Sequence, residues 1–406
     1  FGKFVEALGR RYDGTHRDEN FTGEGNIPRV DAWSLWNEPN QAGWLQPQWV
    51  QTAAAKGRAR RWVPYAPRLY RTLARAGIAG LRRSGHGGDN ILLGETAPQG
   101  VDRRNATGSI RPGLFLRSML CLDSRLRPLA SQAARTAGCD FAAQGPLAVS
   151  GYAHHPYSVK SPPAEADPIP DDITLADRNR LTRLLDAAGA TNRLPAGLPI
   201  WYTEFGYQTQ PPDPIRGVTL DQQARWLAEA DFMTWRDPRV AAQTQFLLRD
   251  DDPRTQYAAD DPRYWSTYQT GLLFADGSRK PAYDSYRLPF HVPASVSSGT
   301  QVSVWGRVRP SGGTEQTVQL QFATAGSKDF ADFGSPVKTD ARGYFQMAVT
   351  PNGSGSWRFR WSPPHNPGLV PDLPIPLPVA VPPLPPPVGP DPAPVYFSAP
   401  APVQVG

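Results

Sequence analysis

Two glutamates hold the chemistry that this chain's residue pattern can support. Glu38 stands in Trp36-Asn37-Glu38-Pro39-Asn40, directly after an apolar run at 30–35. Glu204 stands in Trp201-Tyr202-Thr203-Glu204-Phe205-Gly206, directly after Leu198-Pro199-Ile200. Each glutamate falls just past the C-terminal end of a short, aromatic-rich predicted strand. Two carboxyl groups held across one cleft are what cleavage of an acetal linkage requires. One must keep its proton near neutral pH while the other stays ionised, so their surroundings must differ.

The elements that would position them alternate. Strands are predicted at 30–36, 90–94, 148–154, 198–203 and 240–248, with amphipathic segments at 65–83, 112–137, 173–190 and 219–236. In the first of these segments Leu69, Leu73, Ala76 and Gly80 share a face. Thr219 followed by Asp221-Gln222 marks the start of the last. Such alternation implies βαβ units and a parallel sheet. The unusual side chains gather at the C-terminal strand ends: Asn37-Glu38, Glu95, His154-His155 with Tyr157, and Glu204. That is the functional face of a TIM barrel. A doubly wound sheet would want a Gly-rich turn after its first strand, and none is present. The predicted fold class is therefore α/β, a partial (β/α)8 TIM barrel. Five strands are found where eight close a barrel, and the other three are expected ahead of Phe1. The chain opens without Met, in a predicted helix with Phe1, Phe4, Val5 and Leu8 on one face. The natural N-terminus, including a signal peptide, is expected to lie upstream.

The patterning divides the chain into three segments. Residues 1–288 form the predicted barrel domain. Residues 289–362 alternate with period two, as in Gln301-Val302-Ser303-Val304-Trp305 and Trp357-Arg358-Phe359-Arg360-Trp361. They predict an antiparallel β-sandwich of immunoglobulin or fibronectin type. Its Trp305, Tyr344, Trp357 and Trp361 are either core or a binding face. Residues 363–406 are Pro-rich and predict a polyproline II or disordered tail.

Composition narrows the partners. The chain has 406 residues and a net charge of +6, with 43 basic and 37 acidic residues. The basic residues are scattered, and the densest cluster, at 56–61, lies in a predicted loop. Nucleic-acid binding would want a concentrated stripe and a recognisable module, and neither is present. The longest apolar stretch, at 369–388, is broken by Pro and predicts no membrane span. The 12 Trp suit stacking on the flat faces of pyranose rings, although each also suits a core. Cys121 and Cys139 show no metal-ligand spacing; a disulfide is expected, and with it an oxidising, extracellular compartment. Arg249-Asp250-Asp251-Asp252 lacks the ligand spacing of a calcium loop and is expected to be solvated. No metal and no cofactor is expected.

The motifs resemble those of glycoside hydrolase clan A, the retaining TIM-barrel glycosidases that include families five and 39. Trp36-Asn37-Glu38-Pro39-Asn40 is similar to the clan's strand-four signature, and Trp201-Tyr202-Thr203-Glu204-Phe205-Gly206 to its strand-seven segment. His155-Pro156-Tyr157 resembles the His-x-Tyr after strand six, and Glu95-Thr96-Ala97-Pro98 fits strand five. The segments at 265–272 and 280–283 resemble the end of such barrels. The resemblance implies that Glu38 is the general acid/base and Glu204 the nucleophile. Asn37 would bond the sugar 2-hydroxyl, Tyr157 would donate to Glu204, and His155 would line the subsite next to the scissile bond. Trp265 would floor that subsite. Glu95 is either a substrate contact or a member of a buried ion pair, and His154 the structural partner of His155. The clan's first three strands carry further contacts, often an Arg, that this sequence lacks. The implied function is a secreted, monomeric, retaining O-glycosidase acting on a polysaccharide or oligosaccharide. A non-catalytic carbohydrate-binding or cell-wall protein, to which the Pro-rich tail is suited, and a transglycosylase are the alternatives.

Overall fold

The computed structural model describes residues 1–19, 25–52, 60–139, 145–363 and 395–406. Most of the basic cluster at 56–61, and the Pro-rich stretch at 364–394, lie outside the described residues. The chain divides into two compact units: 1–207 with 234–246, and 208–233 with 247–406.

The first unit is built on an open, five-stranded parallel sheet. Its strands are β1 (Ala32–Ser34), β2 (Asn90–Thr96), β3 (Gly151–His154), β4 (Ile200–Phe205) and β5 (Val240–Gln245), and their order in the chain is their order in the sheet. The central strands read as near-continuous apolar runs because both faces are covered. Ile91, Leu92 and Leu93 are buried, as are Tyr152 and Ala153. By contrast β5 has the sequence Val-Ala-Ala-Gln-Thr-Gln and is half-exposed, as an edge strand tolerates.

Helices α1 (Gly2–Arg11), α2 (Ala66–Arg83), α3 (Pro112–Leu120), α4 (Ser131–Ala137) and α5 (Arg178–Ala190) accompany this sheet. Tyr70, Ala74, Ile78 and Leu81 of α2 are buried at helical spacing. Helices α1 and α2 meet through glycine. A Cβ on Gly80 would lie 2.5 Å from the Gly2 carbonyl oxygen, so the backbones approach as only glycine permits. The apolar face of α1 has another destination. Phe1, Phe4, Val5 and Leu8 line a cavity of about 260 Å³ together with Trp33, Leu35 and Trp36.

Two helix expectations change. The predicted segment at 112–137 is two helices, because Cys121 adopts a left-handed conformation (φ 58°) and ends α3. Cys121 and Cys139 form a disulfide with Cα atoms 5.9 Å apart. Arg71 of α2 ties both ends of that segment down, donating to the Met119 carbonyl (2.8 Å) and the Gly138 carbonyl (2.5 Å). The segment at 173–190 opens as a 3-10 turn at Leu175–Asp177, with a capping box between Thr174 and Asp177.

The sheet's irregularities matter more than its regular parts. Gly94 pairs with Ala153 and Thr96 with His154, so Glu95 is an extra residue in β2. Tyr70 holds that bulge. Its buried hydroxyl donates to the Gly94 carbonyl (2.8 Å) and accepts from the Gly94 N–H (2.8 Å). Gly94 sits at φ 118°, and a Cβ there would lie 2.1 Å from the Ala153 carbonyl oxygen. A second bulge lies between Tyr202 and Phe205, which pair with Gln243 and Gln245.

In the second unit, Phe290–His291, Val302–Arg307 and Tyr344–Val349 form a three-stranded antiparallel sheet. A larger sheet runs Ser295–Val296, Ala401–Val405, Gly355–Trp361, Thr317–Thr324 and Ala331–Asp332. The two sheets share a core that includes Val304, Phe345, Leu320, Trp357, Phe359, Trp361 and Val403. Trp305, Trp357 and Trp361 are all buried. The end of the predicted tail is not a tail, since Tyr396–Phe397 and Ala401–Val405 are strands paired to Gly355–Trp361. Val403 is buried there, so an apolar side chain offsets the local Pro content.

Helix α6 (Leu220–Trp235) starts where the sequence predicts. The Gln222 N–H bonds the Thr219 hydroxyl (3.2 Å), and the Gln222 side chain accepts from the Thr219 N–H (2.9 Å). Asp250 departs from the solvated loop expected for it. It is buried and paired with buried Lys280 (2.7 Å), whose ammonium also reaches the Thr209 hydroxyl and the Gln269 carbonyl. Among the described residues no helix is long and apolar enough to cross a membrane.

The Gly94 bulge and the disulfide can each be tested by stability. Gly94→Ala forces a Cβ into a backbone oxygen and is expected to cost about 2–4 kcal/mol in urea unfolding. Cys121→Ser, which opens the loop to Cys139, is expected to cost about 3 kcal/mol by the same measurement.

Candidate active site

The two acids reach one place by irregular backbone. Glu38 follows β1 at φ 37°, a left-handed conformation unusual for glutamate. Its N–H bonds the carbonyl of bulged Glu95 (2.9 Å), so the turn after β1 is hung from β2. The loop beyond Glu38 is braced from inside by Asn40, which is buried. Its amide donates to the Ala97 (3.2 Å) and Ile110 (3.1 Å) carbonyls and accepts from the Ala97 N–H (2.8 Å). Sequence reasoning included Asn40 in the motif and gave it no role; a second Asn two residues after Glu38 was the available signal. Glu204 sits on the bulge of β4. Such bulges re-aim side chains.

His155 joins the acids. It leaves β3 with its N–H on the Thr96 carbonyl (2.9 Å), and its ring is fully buried. Its Nδ1 lies 3.0 Å from Glu38 Oε1 and 3.4 Å from Glu204 Oε2. Ligand atoms of Glu38, His155 and Glu204 all fall within 4.8 Å of one another. The Tyr157 hydroxyl donates to Glu204 Oε2 (3.0 Å). His154 takes no part. It bonds the Ile173 carbonyl through Nε2 (2.8 Å) and Thr96 through Nδ1 (2.9 Å), and burial pushes its pKa down to about 4, so it is neutral.

The surrounding charges act in opposite directions on these groups. Burial raises Glu204 above the ordinary carboxyl range, against the His155 charge and the Tyr157 hydrogen bond, which pull it down. The charges of Glu38 and Glu95 push it up further. For His155, burial pulls the pKa down, but the Glu38 hydrogen bond and the charges of Glu204, Glu38 and Glu95 outweigh it and hold the imidazole above its usual value.

The remaining expected residues divide. Asn37 and Glu95 line the same cavity as Trp36 and Phe1. Trp265 lies in the second compact unit, where its ring meets Tyr264 edge-on at 4.9 Å. One residue was missed entirely. The indole of Trp44 donates to Glu38 Oε2 (3.2 Å) while its side chain remains 52% exposed. A Trp six residues past a candidate acid, on a turn, was the signal to read.

The Glu38–His155–Glu204 trio is also a donor set that suits a divalent cation, two carboxylate oxygens and an imidazole nitrogen. Such an ion would have to displace the proton from Nδ1. The carboxylates hold that proton more tightly than usual.

No family model matches the chain, and no curated protein matches it. Solved structures similar to it include glycoside hydrolases. One is a β-glucuronidase of Bacteroides uniformis, 12% identical over 72% of this chain and 28% of that one, with a TM-score of 0.31. Another is a GH128 (subgroup I) endo-β-1,3-glucanase of Amycolatopsis mediterranei, solved with laminaritriose and laminaribiose. It is 17% identical over 52% of this chain and 78% of that one, with a TM-score of 0.26. A third is a glycosyl hydrolase family 2 member of Bacteroides cellulosilyticus, 11% identical over 83% of this chain and 32% of that one, with a TM-score of 0.26. The chain thus spans less than a third of the length of the β-glucuronidase.

The raised Glu204 pKa has a direction that unfolding can test. A buried carboxyl that resists ionising weakens the fold as pH climbs from its ordinary value, 4.5, through its raised one. Glu204→Gln removes that penalty. It is expected to raise the melting temperature at neutral pH, with the gain vanishing below the ordinary value. Tyr157→Phe removes a hydrogen bond to the ionised form. It is expected to move the Glu204 titration, followed by carboxyl ¹³C NMR, to higher pH still.

Proposed function

We propose that this chain carries the active site of a retaining glycoside hydrolase of the clan A type, acting on a polysaccharide or oligosaccharide. The observation that supports it most directly is the separation of the acids. Ligand oxygens of Glu38 and Glu204 lie within 4.8 Å. Retaining enzymes hold their carboxyls about 5–5.5 Å apart, whereas inverting ones leave about 6.5–9.5 Å for a water.

Each residue then has a task. Glu204 attacks the anomeric carbon as the glycosidic C–O bond breaks, and Glu38 passes its proton to the departing oxygen. Glu38 then takes a proton from water, which attacks the same carbon and frees Glu204. Tyr157 keeps the Glu204 charge fixed in direction, and His155 spaces the two acids. Asn37 and Glu95 contact the hydroxyls of the sugar undergoing cleavage. The module responsible is residues 1–288, with the five parallel strands serving as part of a (β/α)8 barrel. A sandwich over 289–362, completed by the strands Tyr396–Phe397 and Ala401–Val405, acts as an accessory domain. The disulfide supports an extracellular setting.

A divalent-metal hydrolase is the second reading, favoured by the same trio of ligand atoms. One experiment separates the two. Aryl β-glycosides and β-linked oligosaccharides are incubated with the wild type, with Glu38→Gln and with Glu204→Gln, with and without EDTA. Loss of at least about 10³-fold in both variants, indifference to EDTA and a product of retained configuration by ¹H NMR are expected. Full activity in both single variants would falsify the assignment. Abolition by EDTA, restored by a metal, would transfer it to the metal reading. Longer sugars among the products mark a transglycosylase, and binding without turnover a non-catalytic binder.

A further inference from the structure

Trp44 has no part in the two-acid chemistry, yet it touches one of the acids. An isolated exposed apolar residue is ordinary on a protein surface. This one is different in two respects. First, the turn that presents it is rigidly built. The Trp44 N–H bonds the Gln41 carbonyl (3.1 Å), and its own carbonyl accepts from the Trp36 indole (3.3 Å). Its neighbours Leu45, Gln48 and Trp49 are buried, with the Gln48 amide on the Pro39 (3.0 Å) and Leu45 (2.6 Å) carbonyls. Of this segment's large apolar side chains, Leu45 and Trp49 face inward while Trp44 is 52% exposed. Second, its indole N–H reaches Glu38 Oε2 (3.2 Å), so the ring is anchored to the acid while much of it remains in water.

The geometry around Glu38 decides which side of the substrate Trp44 meets. Oε1 of Glu38 faces His155, on the side of Glu204. Oε2, the other oxygen, accepts from the Trp44 indole. Resting on the glycosidase reading, in which Glu204 attacks the sugar and Glu38 serves the departing oxygen, we propose that Trp44 is the platform for the sugar ring on the leaving-group side of the scissile bond. Its flat face would stack on the C–H face of a pyranose, and its N–H would hold Glu38 turned toward the oxygen that departs. The substrate class this favours is a glycan with a second pyranose ring beyond the cleaved bond, rather than a glycoside of a small, ringless leaving group.

The test compares leaving groups that share one sugar. The wild type, Trp44→Ala and Trp44→Phe are assayed on β-1,3- and β-1,4-linked gluco-, xylo- and manno-oligosaccharides and on the matching β-glycosyl fluorides. Fluoride has no ring to stack and leaves without protonation, so it bypasses the platform. Trp44→Ala is expected to lower kcat/KM on oligosaccharides about 10- to 100-fold and to leave kcat/KM on the fluorides, which ends at the glycosyl-enzyme and so precedes the step in which Glu38 acts as base, within about 2-fold. Trp44→Phe, which keeps a ring and loses the N–H, is expected to recover much of the KM effect. Equal loss on both substrates, or no loss on either, would overturn the platform while leaving the glycosidase reading intact. A wild type that hydrolyses neither class removes that reading, and the platform with it.

Discussion

Everything in the candidate site turns on the His155 imidazole between two carboxyl groups. Two acids this close, in a partly buried place, repel each other if both ionise. A ring nitrogen within reach of both supplies the missing positive charge, and the carboxylates in turn keep that nitrogen protonated. The His155 charge pulls the Glu204 pKa down, and the Glu204 charge pushes the His155 pKa up, so a change at one of these two groups is felt at the other. The arrangement costs stability, because burial opposes the Glu204 charge.

The fold's part is to deliver those groups through departures from regular structure. Glu95 and Glu204 sit on bulges, and Glu38 on a left-handed backbone hung from the Glu95 carbonyl. A straight strand would alternate its side chains strictly and send one of each neighbouring pair to the wrong face. The buried Tyr70 hydroxyl satisfies both polar groups of Gly94, which keeps the first bulge from leaving a buried N–H or carbonyl without a partner. Strain near function is tolerated where the surroundings over-determine it, and the Asn40 and Gln48 side chains do so for the Glu38 loop.

The sequence revealed the parallel strands through their apolar runs, and it revealed Glu38, Glu204, His155 and Tyr157 through their places at strand ends. What it hid has physical causes. Bulges shift register by one residue and leave no mark on hydrophobic pattern, so Glu95 could be suspected but not aimed. The break after α3 was partly legible, since Pro128 interrupts the predicted segment at 112–137; where the helix stops, at Cys121, coincides with the Arg71 hydrogen bonds and the disulfide, which the sequence pattern does not show. Asp250 read as solvated because three acids stood together; its partner Lys280 is thirty residues away. Short strands such as Ser295–Val296 carry too few residues to show a period.

The last strand of the second unit, Ala401–Val405, lies between Ser295–Val296 and Gly355–Trp361. The proline-rich stretch before it therefore joins two points that are both stitched into one sheet. A protease that nicked this connection would not shed a tail. It would leave Ala401–Val405 in place, held by ladder hydrogen bonds on both sides and by the buried Val403.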